Sequence, residues 1–88
     1  MSYEPDSPVV PDGLAIRRRR RRRGWSRRGL VAAIAAAAER ETGVAETISL
    51  NLLQGIEEKG EVIPYAKLCR VAAGLDCDPV DLVRSPGR

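Results

Sequence analysis

The chain has 88 residues, of which 43% are hydrophobic, and its 15 Lys and Arg outnumber 12 Asp and Glu to give a net charge of +3 with no histidine. That length supports one small core and excludes a multi-domain reading. Two cysteines without a single histidine cannot assemble a zinc ligand set, and the longest apolar stretch, 30–38, is too short to cross a bilayer.

Residues 1–12 hold three prolines, three acids and two serines, a composition that predicts a flexible acidic arm and no secretion signal. The body, 13–84, opens at Gly13, Leu14 and Ile16, and a first helix is expected from Leu14 to Arg23, closed by Gly24 in a left-handed conformation. Seven consecutive arginines, Arg17 to Arg23, run through it, and Arg27 and Arg28 bring the total to nine in twelve residues. Like charges this dense repel one another and are relieved when phosphates neutralise them. A solvated face is the plainer explanation of a charge run, but the apolar residues on both sides of this one look like a helical core. Arginine on one end of an otherwise near-neutral or acidic body is the footprint of a nucleic-acid binder.

Ser26 is a favoured N-cap, and Trp25 with Leu30 matches a hydrophobic staple. The second helix then follows Leu30, Val31, Ile34 and a run of alanines to about Arg40, ending at Thr42 and Gly43. Ile48, Ser49 and Leu53 repeat the staple, with Ser49 as cap, although a start near Ala45 is also compatible with Val44, Ile48, Leu52 and Ile56. Either start ends the helix around Glu58, closed by Lys59 and Gly60. Pro64 suits the first turn of a fourth helix bearing Leu68, Val71, Ala72 and Leu75 on one face. Asp78 and Pro79 cap a fifth, short helix. No strand pattern of period two is visible, so the fold class expected is all-α with five helices and a flexible N-terminal arm; residues 85–88 form a tail. Cys69 and Cys77 read as small buried apolar residues more readily than as a disulfide, which fits a reducing, cytoplasmic compartment.

Three stretches resemble the xenobiotic-response-element family of Cro and lambda-repressor-like helix-turn-helix DNA-binding domains. They are Ile16-Arg17 through Gly24-Trp25-Ser26-Arg27-Arg28-Gly29-Leu30-Val31, the segment Ile48-Ser49-Leu50-Asn51-Leu52-Leu53-Gln54-Gly55-Ile56-Glu57, and Leu68, Val71-Ala72, Leu75, Cys77-Asp78-Pro79 and Leu82. The resemblance implies that Ser49 starts a recognition helix with Leu50, Asn51 and Gln54 facing the major groove. Asn and Gln can bond an adenine edge and Leu can pack on a thymine methyl, while the bland alternative for Asn51 and Gln54 is ordinary exposed polar residues. It also implies that Arg27, Arg28, Arg17, Arg20, Ser49 and Lys59 meet phosphates, and that the protein works as a homodimer on double-stranded DNA. About six arginine contacts would weaken binding on the order of a thousandfold between 50 and 200 mM salt.

The pattern departs from the family in three places, one being that Gly60 and Pro64 each sit one residue later than usual and leave Ile63 in the proline slot. Roughly twelve extra residues, about 36–47, separate the second and third helices, and Arg19 stands where an apolar side chain is usual. Leu50 and Leu52 also suggest a face for a protein partner, so the second function expected is an interaction module with only nonspecific nucleic-acid binding. RNA binding is less favoured because stacking aromatics are scarce. Catalysis is least favoured, since no histidine, metal cluster or acid and base pair at a glycine-rich turn is present, and Glu57 and Glu58 at a helix end suit a structural or solvated role.

Overall fold

A computed structural model describes residues 3–84. The chain runs through a two-residue strand β1 (Pro8–Val9), helix α1 (Gly13–Arg22), helix α2 (Arg27–Thr42), helix α3 (Leu50–Lys59), strand β2 (Ile63–Pro64), helix α4 (Tyr65–Leu75) and a 3-10 turn at Pro79–Leu82. The fold is predominantly helical, as expected, but the described residues form four α-helices and a small sheet where five helices and no strand were predicted. Asp78 does cap the last element, its carboxylate accepting from the Val80 amide at 2.9 Å. A segment of four residues starting at a proline is too short to propagate beyond a single 3-10 turn. No helix among the described residues is long and apolar enough to cross a membrane.

Helix starts follow the local chemistry that the sequence announces. The Asp12, Ser26 and Ser49 side chains accept from the amides of Ala15, Gly29 and Leu52 at 3.1, 3.1 and 3.0 Å, each satisfying one of the orphan donors of a first turn. Gly24, Gly43 and Gly60 take the left-handed conformation after their helices, with φ of 72°, 82° and 61°. Helix α4 begins differently. Its N-cap, Pro64, has no side chain to offer, and the Tyr65 and Ala66 amides instead donate to the Ser7 and Pro5 carbonyls at 2.8 and 2.9 Å.

Those two bonds explain why the N-terminal residues do not form the flexible arm expected of their composition. Val9 pairs with Ile63 across an antiparallel ladder and is buried, Pro11 bridges to Val83, and Tyr3 stacks on Tyr65 with ring centroids 5.0 Å apart. Few apolar residues suffice because the carbonyls of this segment finish a helix that cannot cap itself.

The core gathers Ile16 from α1, Leu30 and Ile34 from α2, Leu53 and Ile56 from α3, and Leu68, Val71 and Leu75 from α4, closed by Val9, Ile48, Ile63 and Leu82. Helix α2 packs chiefly on α4, and α1 chiefly on α3. The first contact is close at Gly74, where a Cβ would stand 2.6 Å from Ile34 Cγ1 and 3.0 Å from its Cα. Gly74→Ala is therefore expected to lower stability by about 1–3 kcal/mol through overpacking, seen as a lower urea midpoint. An unchanged midpoint would show that the two helices do not touch there.

Between α2 and α3 the extra residues divide in two. Part extends α2 to 16 residues, and 43–49 form a loop pinned by buried Ile48, by Thr47 Oγ1 donating to the Val31 carbonyl at 2.7 Å and by Arg70 reaching Glu46 at 3.8 Å.

Candidate nucleic-acid interface

Consecutive residues on a helix point about 100° apart, so a run of seven arginines covers the whole circumference of α1. They cannot all serve one surface. Ile16 and Arg20 fall one turn apart on the same face, and that face is the buried one. Arg20 is 7% exposed, and its Nε and Nη2 donate to Glu57 Oε2 and Oε1 at 2.8 and 2.9 Å while Nη1 donates to the Trp25 carbonyl at 2.9 Å. Arg20, expected to meet a phosphate, is engaged inside the protein by these three bonds. Arg20 instead fixes the turn between α1 and α2 against α3, because a guanidinium carried inward by the stripe of Ile16 must find a carboxylate there.

Glu57 supplies that carboxylate, with a fully enclosed side chain, and its Oε1 also accepts from Arg27 Nε at 3.2 Å. The ions thus tie together α1, the first residue of α2 and the last turn of α3. Arg27 extends the cluster outward, donating through Nη2 to Glu58 Oε2 at 2.9 Å. Hydrogen bonds to Glu57 and then Glu58 raise the Arg27 pKa above its ordinary value. The bond from Arg27, followed by the one from Gln54 and the nearby charge of Arg17, holds the Glu58 carboxyl below its ordinary value. Arg27 therefore stands at the start of α2 with its Nε and Nη2 already engaged by glutamates.

The remaining arginines of α1 distribute by angle. Arg17 lies on the flank towards Glu58, half-buried, with an enclosed Nε that has no hydrogen-bond partner among the described residues. Arg21, one turn further along the same flank, is exposed and was not among the residues expected to act. Its i+4 relation to Arg17 was the available signal. Arg19, in the position usually apolar, is half-buried and leans towards Asp81 at 3.8 Å. Arg23 donates to the Leu75 carbonyl at 2.9 Å and its guanidinium lies 5.1 Å from the Trp25 ring centroid. Arg28 is exposed in the first turn of α2.

On α3, Asn51 and Gln54 are exposed and share a side of the helix, while Leu50 is half-buried beside them. Leu52 points about 160° away from Leu50 and packs against the core. The two leucines consequently do not make one apolar face, which removes the surface imagined for a protein partner there. Ser49 is an N-cap whose oxygen is taken by the Leu52 amide, so only its O–H is left to donate. Lys59 is exposed at the other end of α3, about 15 Å along the axis, beside Asp12 and Leu14. The contacts gather Arg17, Arg27 and Gln54 around Glu58, and the candidate patch extends from there along the same three helices to the exposed Arg21, Arg28, Asn51 and Lys59.

Away from this patch Cys69 and Cys77 are free thiols, both half-buried, as expected in preference to a disulfide. Burial pushes the Cys77 pKa up. Comparison with protein-family models, curated proteins and solved structures finds no match to this chain.

Proposed function

We propose that the chain is a sequence-specific duplex-DNA-binding regulator built as a lambda-repressor-like helix-turn-helix, with α3 entering the major groove and the starts of α1 and α2 set against the phosphate backbone. The observation that carries this reading is the junction of two chemistries. Asn51 and Gln54, able to bond adenine edges, stand exposed on the same helix whose last turn holds Arg27, with Arg17 alongside. Cationic groups next to amide side chains on the exposed side of a helix suit position-fixing by phosphate and reading by base edge. A module of this size covers only a few base pairs, so we place it on DNA as a homodimer over a two-fold symmetric site.

Selection from a random duplex pool followed by sequencing tests this directly. An enriched, two-fold symmetric motif is expected. Asn51→Ala and Gln54→Ala are each expected to remove about 1–3 kcal/mol of discrimination at one base pair with bulk affinity for DNA kept. A flat pool would reject sequence reading, and an unchanged motif in both variants would reject the choice of helix face.

The alternative reading, an interaction module, draws support from the loop 43–49, where Val44 is 60% exposed between two helices that a compact helix-turn-helix would join tightly. It predicts the flat pool. Replacing Val44 by serine would then abolish partner capture while leaving DNA affinity intact.

A further inference from the structure

Glu58 is an exposed acid in the middle of the patch described above. Asn51, Gln54 and Glu58 recur at intervals of three and four, so all three project from one side of α3. Glu58 Oε2 accepts from Arg27 Nη2 at 2.9 Å, and Glu58 Oε1 accepts from Gln54 Nε2 at 3.5 Å. A single carboxylate thereby occupies a phosphate anchor and a base reader together, while its side chain remains 43% exposed.

We infer that Glu58 is a specificity-determining residue: its carboxylate stands where a DNA phosphate would, and it penalises any complex that rests on phosphate contacts alone. The inference rests on the duplex-binding reading. On arbitrary DNA, Arg27 exchanges one anion for another and leaves a bare carboxylate facing the phosphodiester backbone, which is repulsive. The exchange also yields no net counterion release. The phosphate sheds a cation, and the freed carboxylate takes one up. On the matching sequence Gln54 leaves Glu58 for a base edge, and the carboxylate can accept from an exocyclic cytosine amine in the major groove. The exchange is then compensated. Binding to the wrong sequence is weakened more than binding to the right one, which widens the ratio between them.

The test compares wild type with Glu58→Gln on a random-sequence duplex and on the duplex selected by the wild type, across a salt series. Glu39→Gln serves as a control that changes net charge equally on an exposed residue near the far end of α2. Glu58→Gln is expected to bind random duplex roughly fivefold tighter near 0.1 M salt, with a log–log salt slope steeper by about 0.9. The selected duplex is expected to gain less, so the specificity ratio falls, and Glu39→Gln should leave the ratio unchanged. Equal gains on both duplexes, an unchanged slope, or the same effect from Glu39→Gln would overturn the inference while leaving the proposed function standing. A wild type that binds no duplex at all would overturn both.

Discussion

Glu57→Ala is expected to cost about 3–5 kcal/mol of folding stability, a large share of the roughly 4–13 kcal/mol that a domain of this length has to lose. The carboxylate is fully enclosed and accepts three hydrogen bonds, two from Arg20 and one from Arg27. Its removal leaves the Arg20 guanidinium, 7% exposed, charged and facing a gap. Urea unfolding is the suitable measurement, because guanidinium chloride would screen the ions under test. The double variant Arg20→Met/Glu57→Leu should be far less destabilised than Glu57→Ala, since replacing both buried ions by apolar groups removes their desolvation penalty as well as their attraction. A Glu57→Ala midpoint within about 0.5 kcal/mol of wild type would mean that the pair is open to water. The same network sets the angle between α1, α2 and α3, so the double variant is also expected to keep its fold and lose DNA sequence preference.

Duplex affinity is expected to fall about 150-fold between 50 and 200 mM salt, less steeply than nine clustered arginines suggest. Each phosphate neutralised contributes about 0.9 to the salt slope. Arg20 is consumed by Glu57, Arg23 by the Leu75 carbonyl and Trp25, and Arg27 by Glu57 and Glu58. Arg19 leans towards Asp81, and Arg18 and Arg22 are exposed on the side of α1 opposite Ile16. Arg17, Arg21, Arg28 and Lys59 remain as the cations of the patch, giving a slope of about −3.6. Arg17→Ala/Arg28→Ala should reduce its magnitude by about 1.8, leaving a loss of roughly 12-fold over the same salt range, and should weaken all sequences alike. A slope near zero in the wild type would remove phosphate anchoring as the mechanism. A thousandfold loss would show that cations beyond these four reach phosphates without freeing a carboxylate.

The two results share a cause in how the arginine run is partitioned, and that partition is only half visible in the chain. Spacing from Ile16 points Arg20 inward, yet nothing local says that Glu57, 37 positions later, will be there to receive it. The same limit applies to Leu50 and Leu52, whose divergence follows from helical geometry but whose contacts depend on where α4 and the loop 43–49 lie. Asn51 and Gln54 were identifiable as exposed because they sit opposite Leu53 and Ile56, whereas the bond between Gln54 and Glu58 becomes meaningful only once Arg27 is brought to it.

What the sequence determined by itself is everything governed by neighbours a few positions apart. The serine caps at Ser26 and Ser49, the left-handed glycines, the helical stripes and the concentration of positive charge at one end are all local, because capping and amphipathicity act within one or two turns. The tertiary structure alone decided which arginines are spent inside, that the 3–12 segment is held against α4 by the Ser7 and Pro5 carbonyls, and that the fifth helix stops at a single 3-10 turn. Those outcomes depend on buried donors and acceptors finding partners far along the chain. A polar group taken out of water must be matched wherever the fold places it.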